Sequence, residues 1–329
     1  MRLFITGAGG FVGSHVARIA SDRGHAVVGL VRSNSSAATL RRAAPDAEPI
    51  LGDLRRPGGW FEALERTDAV IHLVATKAGN VYDQFPGTVI ATERLLAEMK
   101  RAGVRRLVHI STFSVYDYEA PVSEQVLAED APLAQRPLGL TAYTQTKLQQ
   151  ERLVREAAAA GLAVTIIRPG AVWGGGELWD AGLGHVLGPL WLAVGDGVTR
   201  KFTYVENCAE AIVLAAERDE AIGQTLNIVD DDAPTQREYA RMLKQHGIGV
   251  PTGLRVPFAF LRAWVGVLDR VNAKRFAGRA RVPDILNPTS LDARFKRLVY
   301  PNTRAKAVLG WNPRYGLEEG LERALAQRP

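Results

Sequence analysis

Six short β-rich apolar runs punctuate the first 170 residues: "RLFIT" (2–6), "AVVGLV" (26–31), "AEPILGDL" (47–54), "DAVIHLVA" (68–75), "RRLVHIST" (105–112) and "LAVTIIRPG" (162–170). Between them, apolar positions recur at helical spacing. "FVGSHVARIASDRG" (11–24) reads as a helix stopped at Gly24, a long helix is expected from near Val81 to Ala102, and another carries Tyr143. "GGWFEALERT" (58–67) fills the gap between the third and fourth runs, and "RSNSSAA" (32–38) reads as a polar loop. Continuous apolar strands separated by helices predict a parallel sheet covered on both faces. The expected fold class is α/β, a doubly wound parallel sheet with ligands at the C-terminal ends of its strands.

After Arg168 the pattern weakens. Residues 170–197 are glycine-rich, carry Trp173, Trp179 and Trp191, and read as a substrate-side loop region more than as sheet scaffold. Strand–helix–strand patterning returns in "KFTYVENCAEAIVLAAERDE" (201–220) and "GQTLNIVDDD" (223–232), and the C-terminal remainder reads as mainly helical. The expected organisation is a sheet domain over 1–172, completed by about 202–230. A smaller, mostly helical substrate-binding lobe then comprises 173–201 and 231–329.

The 329 residues are 47% hydrophobic and 23% charged, which suits a globular chain with a large core. The formal net charge of +6 favours anionic partners. A small molecule bearing phosphate suffices to explain it, and no helix-turn-helix, zinc-finger or RNA-binding aromatic signature supports nucleic acid. A single cysteine, Cys208, allows no internal disulfide and reads as helix packing. None of the histidines (His15, His25, His72, His109, His185, His246) has a metal-ligand spacing, so no metal is expected. His72 and His109, inside apolar strands, read as hydrogen-bonded core histidines. "MRLFIT" enters a strand at once, leaving no room for a signal peptide, and no apolar run reaches a membrane span. The expected location is the cytoplasm, with no integral membrane segment. "VPFAFLRAWVGVLDRVNAKRF" (256–276) mixes an apolar face with basic residues. It reads as a helix packed on the second lobe or at a dimer contact, in preference to one lying on a membrane surface.

"TGAGGFVG" (6–13) follows the first strand and opens the first helix. Gly7, Gly10 and Gly13 allow a tight turn, a close approach of backbone to pyrophosphate and close helix–strand packing, while the helix N-terminus offers unpaired N–H groups. A dinucleotide cofactor is therefore expected. Where an NAD site places an acid for the ribose 2′-OH, this chain has Val31, followed by Arg32 and Ser33. A guanidinium there suits a 2′-phosphate, so NADP is the preferred cofactor and NAD the alternative. Asp53, after the third strand, is placed to reach the adenine edge.

In "AYTQTKLQQERL" (142–153), Tyr143 and Lys147 are four residues apart and share a helix face. Alone that spacing decides nothing. Together with the glycine loop, "STFSVY" (111–116), "YTQTK" (143–147) and "RPGAVWG" (168–174) in this order, the chain resembles the extended short-chain dehydrogenase/reductases, the NAD-dependent epimerase/dehydratase family. "FTYVENCAEAI", "LNIVDDDAPTQREYARML" and "AKAVLGWNP" extend the resemblance over nearly the whole chain. It implies a Rossmann domain and an NAD(P)-dependent oxidoreductase with Thr112, Tyr143 and Lys147 as catalytic residues. Tyr143 would give a proton in ketone reduction or take one in alcohol oxidation. Lys147 would lower the phenol from its usual value near ~10 and hold the nicotinamide ribose, and Thr112 would orient the reacting oxygen. The cofactor would carry the hydride. Further cofactor contacts are implied at Phe11, Val12, Leu54, Val74, Ala75 and Pro169. Substrate contacts are implied at Thr76, Phe113, Ser114, Trp173 and Arg200. The family often dimerises through helices flanking its sheet, so a homodimer is the expected assembly.

The departures from the family pattern narrow the reading. Sugar-nucleotide 4,6-dehydratases carry an acidic pair directly after the catalytic threonine; here Phe113 and Ser114 stand there, so no acid is present to expel water. Asp117 replaces the usual glycine after "VY". Arg200 stands where sugar-nucleotide enzymes place an arginine on the pyrophosphate, but their second phosphate arginine has no clear match. "NPTSLDARFKRLVYPNTRAKAVLGW" (287–311) is closer to the 3β-hydroxysteroid dehydrogenase-like and dihydroflavonol reductase-like branches. Two small-molecule substrate classes compete. Arg200 and the basic charge favour a sugar nucleotide, acted on by an epimerase or reductase, and this reading ranks first. Arg32, the three tryptophans and the tail favour an uncharged ketone, steroid- or polyketide-like. A non-catalytic NADP-binding sensor is the reading from another class, and the complete Thr112, Tyr143, Lys147 set argues against it.

Overall fold

A computed structural model describes residues 1–120, 126–135, 139–179, 181–188, 190–195, 197–276 and 286–326. The first half of the chain gives β1 (Arg2–Thr6), α1 (Phe11–Asp22), β2 (Ala26–Val31), α2 (Asn34–Ala43), β3 (Glu48–Leu51), α3 (Trp60–Leu64), β4 (Ala69–His72), α4 (Val81–Phe85), α5 (Ala91–Ala102), β5 (Arg106–Ile110), α6 (Ala142–Ala159) and β6 (Ala163–Pro169). The second half gives β7 (Ala171–Trp173), β8 (His185–Leu187), β9 (Leu190–Val194), β10 (Phe202–Tyr204), α7 (Val205–Glu217), β11 (Thr225–Ile228), α8 (Gln236–Gln245), β12 (Thr252–Val256), α9 (Phe258–Phe276), α10 (Pro288–Phe295), α11 (Thr303–Leu309) and α12 (Leu317–Ala326).

Seven strands form one parallel sheet in the order β11-β6-β5-β4-β1-β2-β3. The order reverses between β1 and β4, so the crevice outside their C-terminal ends is the natural ligand position. Every residue of β4 is buried, as are Leu3 to Thr6 of β1, which is why these strands read as unbroken apolar runs. Val16 of α1, Leu40 of α2, Ile212 of α7 and Leu309 of α11 belong to the core on one face. Trp60, Leu95, Met99 and Val154, from α3, α5 and α6, belong to the core on the other. Burying one such aliphatic side chain is worth about 1.5–3 kcal/mol.

Two expectations change. The stretch expected as a polar loop after β2 becomes α2, because Ser33 caps it, accepting from the Ser36 N–H at 3.2 Å, and Ala37 and Leu40 anchor it to the sheet. Two apolar positions are too few to register as periodicity. Residues 170–197 also contain sheet scaffold. β7 pairs in parallel with β10, while β9 pairs with β8 and β12 in a separate three-stranded sheet. Helices α8 and α12 share with these strands a core that includes Trp173, Phe202, Tyr204 and Tyr239, while α9 and α10 pack together against Val194 of β9. Among the described residues no helix is long and apolar enough to cross a membrane.

Candidate active site

A cavity of about 680 Å³ opens at the C-terminal ends of β1, β4, β5 and β6. Its cofactor side begins with Gly7, which turns at φ +72°, and with Gly10, whose N–H donates to the Gly7 carbonyl at 2.9 Å. A Cβ on Gly13 would collide with that same carbonyl, so α1 sits this close to the turn only with glycine there. No side chain caps α1, and Phe11, Val12 and Gly13 line the cavity at its N-terminus. The first-turn N–H groups of α1, left without a side-chain cap, fit a pyrophosphate. Ala75 and Pro169 line the same cavity.

Five other sequence-predicted cofactor residues, Arg32, Ser33, Asp53, Leu54 and Val74, lie outside the lining. Arg32 is exposed at the end of β2, and Ser33 caps α2. Asp53 is held by Arg55 at 2.6 Å, and that hydrogen bond keeps its carboxyl below the usual range. Leu54 is buried, and Val74 packs beside Gly7. On the substrate side, the Thr76 N–H donates to the Thr88 hydroxyl at 2.9 Å, while Phe113, Ser114 and Arg200 line the cavity. Trp173 does not. It is 1% exposed and packs against Phe202, Tyr204 and Tyr239, so the substrate contact expected of it is replaced by a core role.

Thr112, Tyr143 and Lys147 all line the cavity. Thr141 caps α6 by accepting from the Thr144 N–H at 3.1 Å, which places Tyr143 in the first turn and Lys147 one turn on. Thr112 follows β5 and acts on the Tyr143 phenol, favouring its ionised form. Lys147 is buried, and its ammonium donates to the Ile110 carbonyl at 2.6 Å and to Gln150 Oε1 at 2.5 Å. Burial lowers its pKa to about 7, against the attraction of Glu151 and with the help of Lys77. Burial raises the Tyr143 phenol, with Thr112 pulling the other way. The lowering expected from Lys147 does not act on the phenol, because that ammonium is turned to Ile110 and Gln150.

Below Lys147 lies a buried polar chain that sequence reading missed. Gln150 Nε2 donates to Thr92 Oγ1 at 2.8 Å and to the Val74 carbonyl at 3.0 Å. The Thr92 hydroxyl donates to the Thr88 carbonyl at 2.7 Å, so His72 Nε2–H is assigned as the donor to Thr92 Oγ1 at 2.8 Å. His72 Nδ1 then accepts from the Thr6 hydroxyl at 2.8 Å. Burial pushes His72 down to about 3, which keeps it neutral. His109 departs from expectation: it is buried and neutral, but neither ring nitrogen has a hydrogen-bond partner among the described residues.

A second buried cluster ties α6 to β5 and β6. Glu151 accepts from the Ser111 hydroxyl at 2.5 Å, from Arg168 at 2.6 Å and from Arg155 at 2.9 Å. Burial pushes Glu151 up, but the Arg168 hydrogen bonds and charge, with Ser111 and Arg155, hold it below the usual range. Such a pair is costly to break because either charge would be left buried alone. Cys208 is fully buried, and burial pushes its thiol up.

The side of the cavity where substrate is expected is aromatic and basic. Phe113 stacks on Tyr300 with centroids 4.3 Å apart. Tyr300 donates to the Tyr118 hydroxyl at 3.1 Å, and Tyr118 donates to the Phe113 carbonyl at 2.9 Å. The Arg200 guanidinium lies over the rings of Phe202 and Tyr239, at 4.7 and 4.3 Å. Arg294 of α10 lines the same cavity, a second arginine that no sequence motif offered. Gln150 had a local signal, three residues after Lys147 on one helix face; Tyr300 and Arg294 had none. One cluster of metal-ligand types, His246, Glu318 and Glu322, occurs among the described residues, and none of the three lines the cavity.

A family model described as NAD dependent epimerase/dehydratase family matches residues 3–228. The chain is 29% identical, over 98% of its length and 95% of the relative's, to a 4-hydroxy-2-methyl-3-oxo-4-farnesyl-3,4-dihydroquinoline-1-oxide ketoreductase of Stigmatella aurantiaca. It is 30% identical to a 2-alkyl-3-oxoalkanoate reductase of Stenotrophomonas maltophilia, over 99% of both chains. Among solved structures, MoeE5 in complex with UDP-glucose and NAD superposes with a TM-score of 0.69 at 27% identity, covering 99% of this chain and 98% of that one. With the glycine cradle and the Thr112, Tyr143, Lys147 cluster on one cavity, these matches show that the chain belongs to the NAD-dependent epimerase/dehydratase family and is an NAD(P)-dependent oxidoreductase.

Proposed function

We propose that this chain reduces a ketone, or oxidises the corresponding secondary alcohol, on a large and mainly apolar molecule, with NADP preferred. The observation that carries this reading is the Phe113–Tyr300 stack. It puts ring faces directly after Thr112, where a sugar dehydratase would need acids. This reverses the order read from the sequence, which ranked a sugar nucleotide first. The two full-length relatives named for a ketoreductase and an oxoalkanoate reductase support the change.

The bound nicotinamide would supply a hydride to the carbonyl carbon. Tyr143 gives its phenolic proton to the carbonyl oxygen, and the Thr112 hydroxyl holds that oxygen in line. Lys147 spends two N–H bonds on Ile110 and Gln150, which leaves the third for the cofactor ribose and the phenol. Two features favour NADP. Arg32 is exposed beside the start of α2, and the first turn of α2 has serine hydroxyls and no acid, so its N-terminus welcomes a 2′-phosphate.

The test is oxidation of NADPH with a panel of apolar ketones and of sugar nucleotides; turnover confined to the ketones is the expected result. A second reading has its own observation, since Arg200 and Arg294 both line the cavity and could hold a pyrophosphate. Tightly bound cofactor co-purifying with the chain, and interconversion of a nucleoside-diphosphate sugar that is lost in Arg200→Ala, would favour that epimerase reading.

A further inference from the structure

Helix α9 is apolar on two faces. Phe258, Leu261 and Val265 turn inward and pack with Leu291 and Phe295 of α10. Phe260, Trp264, Val267 and Val271 turn outward, 67%, 47%, 52% and 46% exposed. Their spacing of four, three and four residues makes one continuous stripe. At helical rise it is roughly 16 Å long. Lys274 and Arg275 continue the same stripe by one more turn, and Arg270 flanks it; all three are exposed. Asp269, the acid of this helix, falls on the opposite side, where its charge acts on Arg262.

We propose that this face of α9 docks on an anionic phospholipid surface, with the aromatic end buried in the headgroup–acyl boundary and the basic end on the headgroup charges. Three points select lipid over a second copy of the chain. A helix apolar on two sides is otherwise an interior helix. One exposed helix stripe covers a few hundred Å² at most, short of the roughly 800 Å² per partner of a stable interface. In a two-fold antiparallel pairing each basic end would meet the partner's Pro257–Phe260 end, which has no acid to receive it. Lipid supplies both missing complements, apolar volume and negative charge. α10, on which α9 packs, lines the cavity with Ser290, Ala293 and Arg294. Docking therefore sets the cavity wall one helix away from lipid. That last consequence rests on the proposed ketone substrate; the docking itself does not.

The test is flotation of the full chain with vesicles of phosphatidylcholine, alone or mixed with phosphatidylglycerol. The chain should float with the mixed vesicles and far less with phosphatidylcholine alone. Lys274→Gln with Arg275→Gln should weaken partitioning on the order of thirtyfold. Trp264→Ser with Val267→Ser should bring it to background, with an unchanged Tm and unchanged NADPH affinity showing that the fold and cavity are intact. Wild-type chain that floats with neither vesicle overturns the proposal, as do variants that float like wild type. A dimer in solution that Trp264→Ser with Val267→Ser splits, without vesicle binding, overturns it in favour of a contact between copies. Flotation needs no turnover, so its failure is separate from failure of the ketone reading.

Discussion

Gln150 Oε1 accepts from the Lys147 ammonium at 2.5 Å, and the Gln150 amide is itself fixed by Thr92 and the Val74 carbonyl. The side chain three residues after Lys147 thus aims its ammonium. Its own orientation descends from a hydrogen-bond chain that ends at Thr6 and His72. With a neutral acceptor on Lys147 in place of a carboxylate, the ammonium keeps charge to offer the cofactor and the phenol.

Gln150→Leu removes that acceptor without changing the helix. We expect kcat to fall on the order of a hundredfold, the cost of a misplaced catalytic group. Gln150→Glu puts a negative charge against the ammonium, raises the Lys147 pKa and moves the corresponding limb of the pH–rate profile to higher pH. An unshifted profile in Gln150→Glu would show that this contact does not aim the lysine.

Burial of Lys147 also makes a stability prediction. Its folded-state pKa, about 7, lies below the unfolded value of 10.5. The unfolded chain therefore binds more protons between these limits, and the cost of burying the charge is fully present below pH 7 and relieved as pH rises toward 10.5. Lys147→Met should raise Tm relative to wild type more at pH 6 than at pH 10, by several degrees (on the order of 5 °C). Differential scanning calorimetry at both pH values reads this directly; a gain independent of pH contradicts it.

Arg32, exposed just past β2, is expected to select the 2′-phosphate of NADPH. Arg32→Glu should lower kcat/KM for NADPH by about 10–100-fold, the worth of a charge-assisted hydrogen bond, and leave NADH equal or better. Equal losses with both cofactors would place Arg32 in folding and not in recognition.

The Phe113–Tyr300 stack should set substrate class. Phe113→Ala removes an aromatic contact worth about 0.5–1.5 kcal/mol beyond its area, so KM for bulky apolar ketones should rise roughly tenfold. The kcat for a small ketone should change little. An equal effect on small and bulky ketones would mean that the ring supports Thr112 and does not contact substrate.

Much of this was legible in the sequence because parallel strands buried on both faces leave unbroken apolar runs, and a glycine loop leaves fixed spacing. Ser33 capping α2 was not seen, since only Ala37 and Leu40 mark that helix as amphipathic. The family resemblance implies a substrate contact at Trp173, within a glycine-rich stretch whose weak periodicity hides its strand. β7 pairing with β10 puts it in the core instead. The expected acidification of Tyr143 failed on burial, which neither spacing nor motif reports. Tyr300 and Arg294 reach the cavity from the tail through tertiary packing that carries no local pattern.

Hydride transfer to a ketone with Tyr143 as proton donor leaves a direct isotopic signature. NADPH deuterated at the transferring position of the nicotinamide, a ketone found active in the panel, and mass spectrometry of the product test it together. One deuterium on the carbinol carbon is expected with wild-type chain, and a rate lowered by roughly 10²–10⁴ in Tyr143→Phe with NADPH affinity retained. Unlabelled product, or Tyr143→Phe turning over at the wild-type rate, would contradict it.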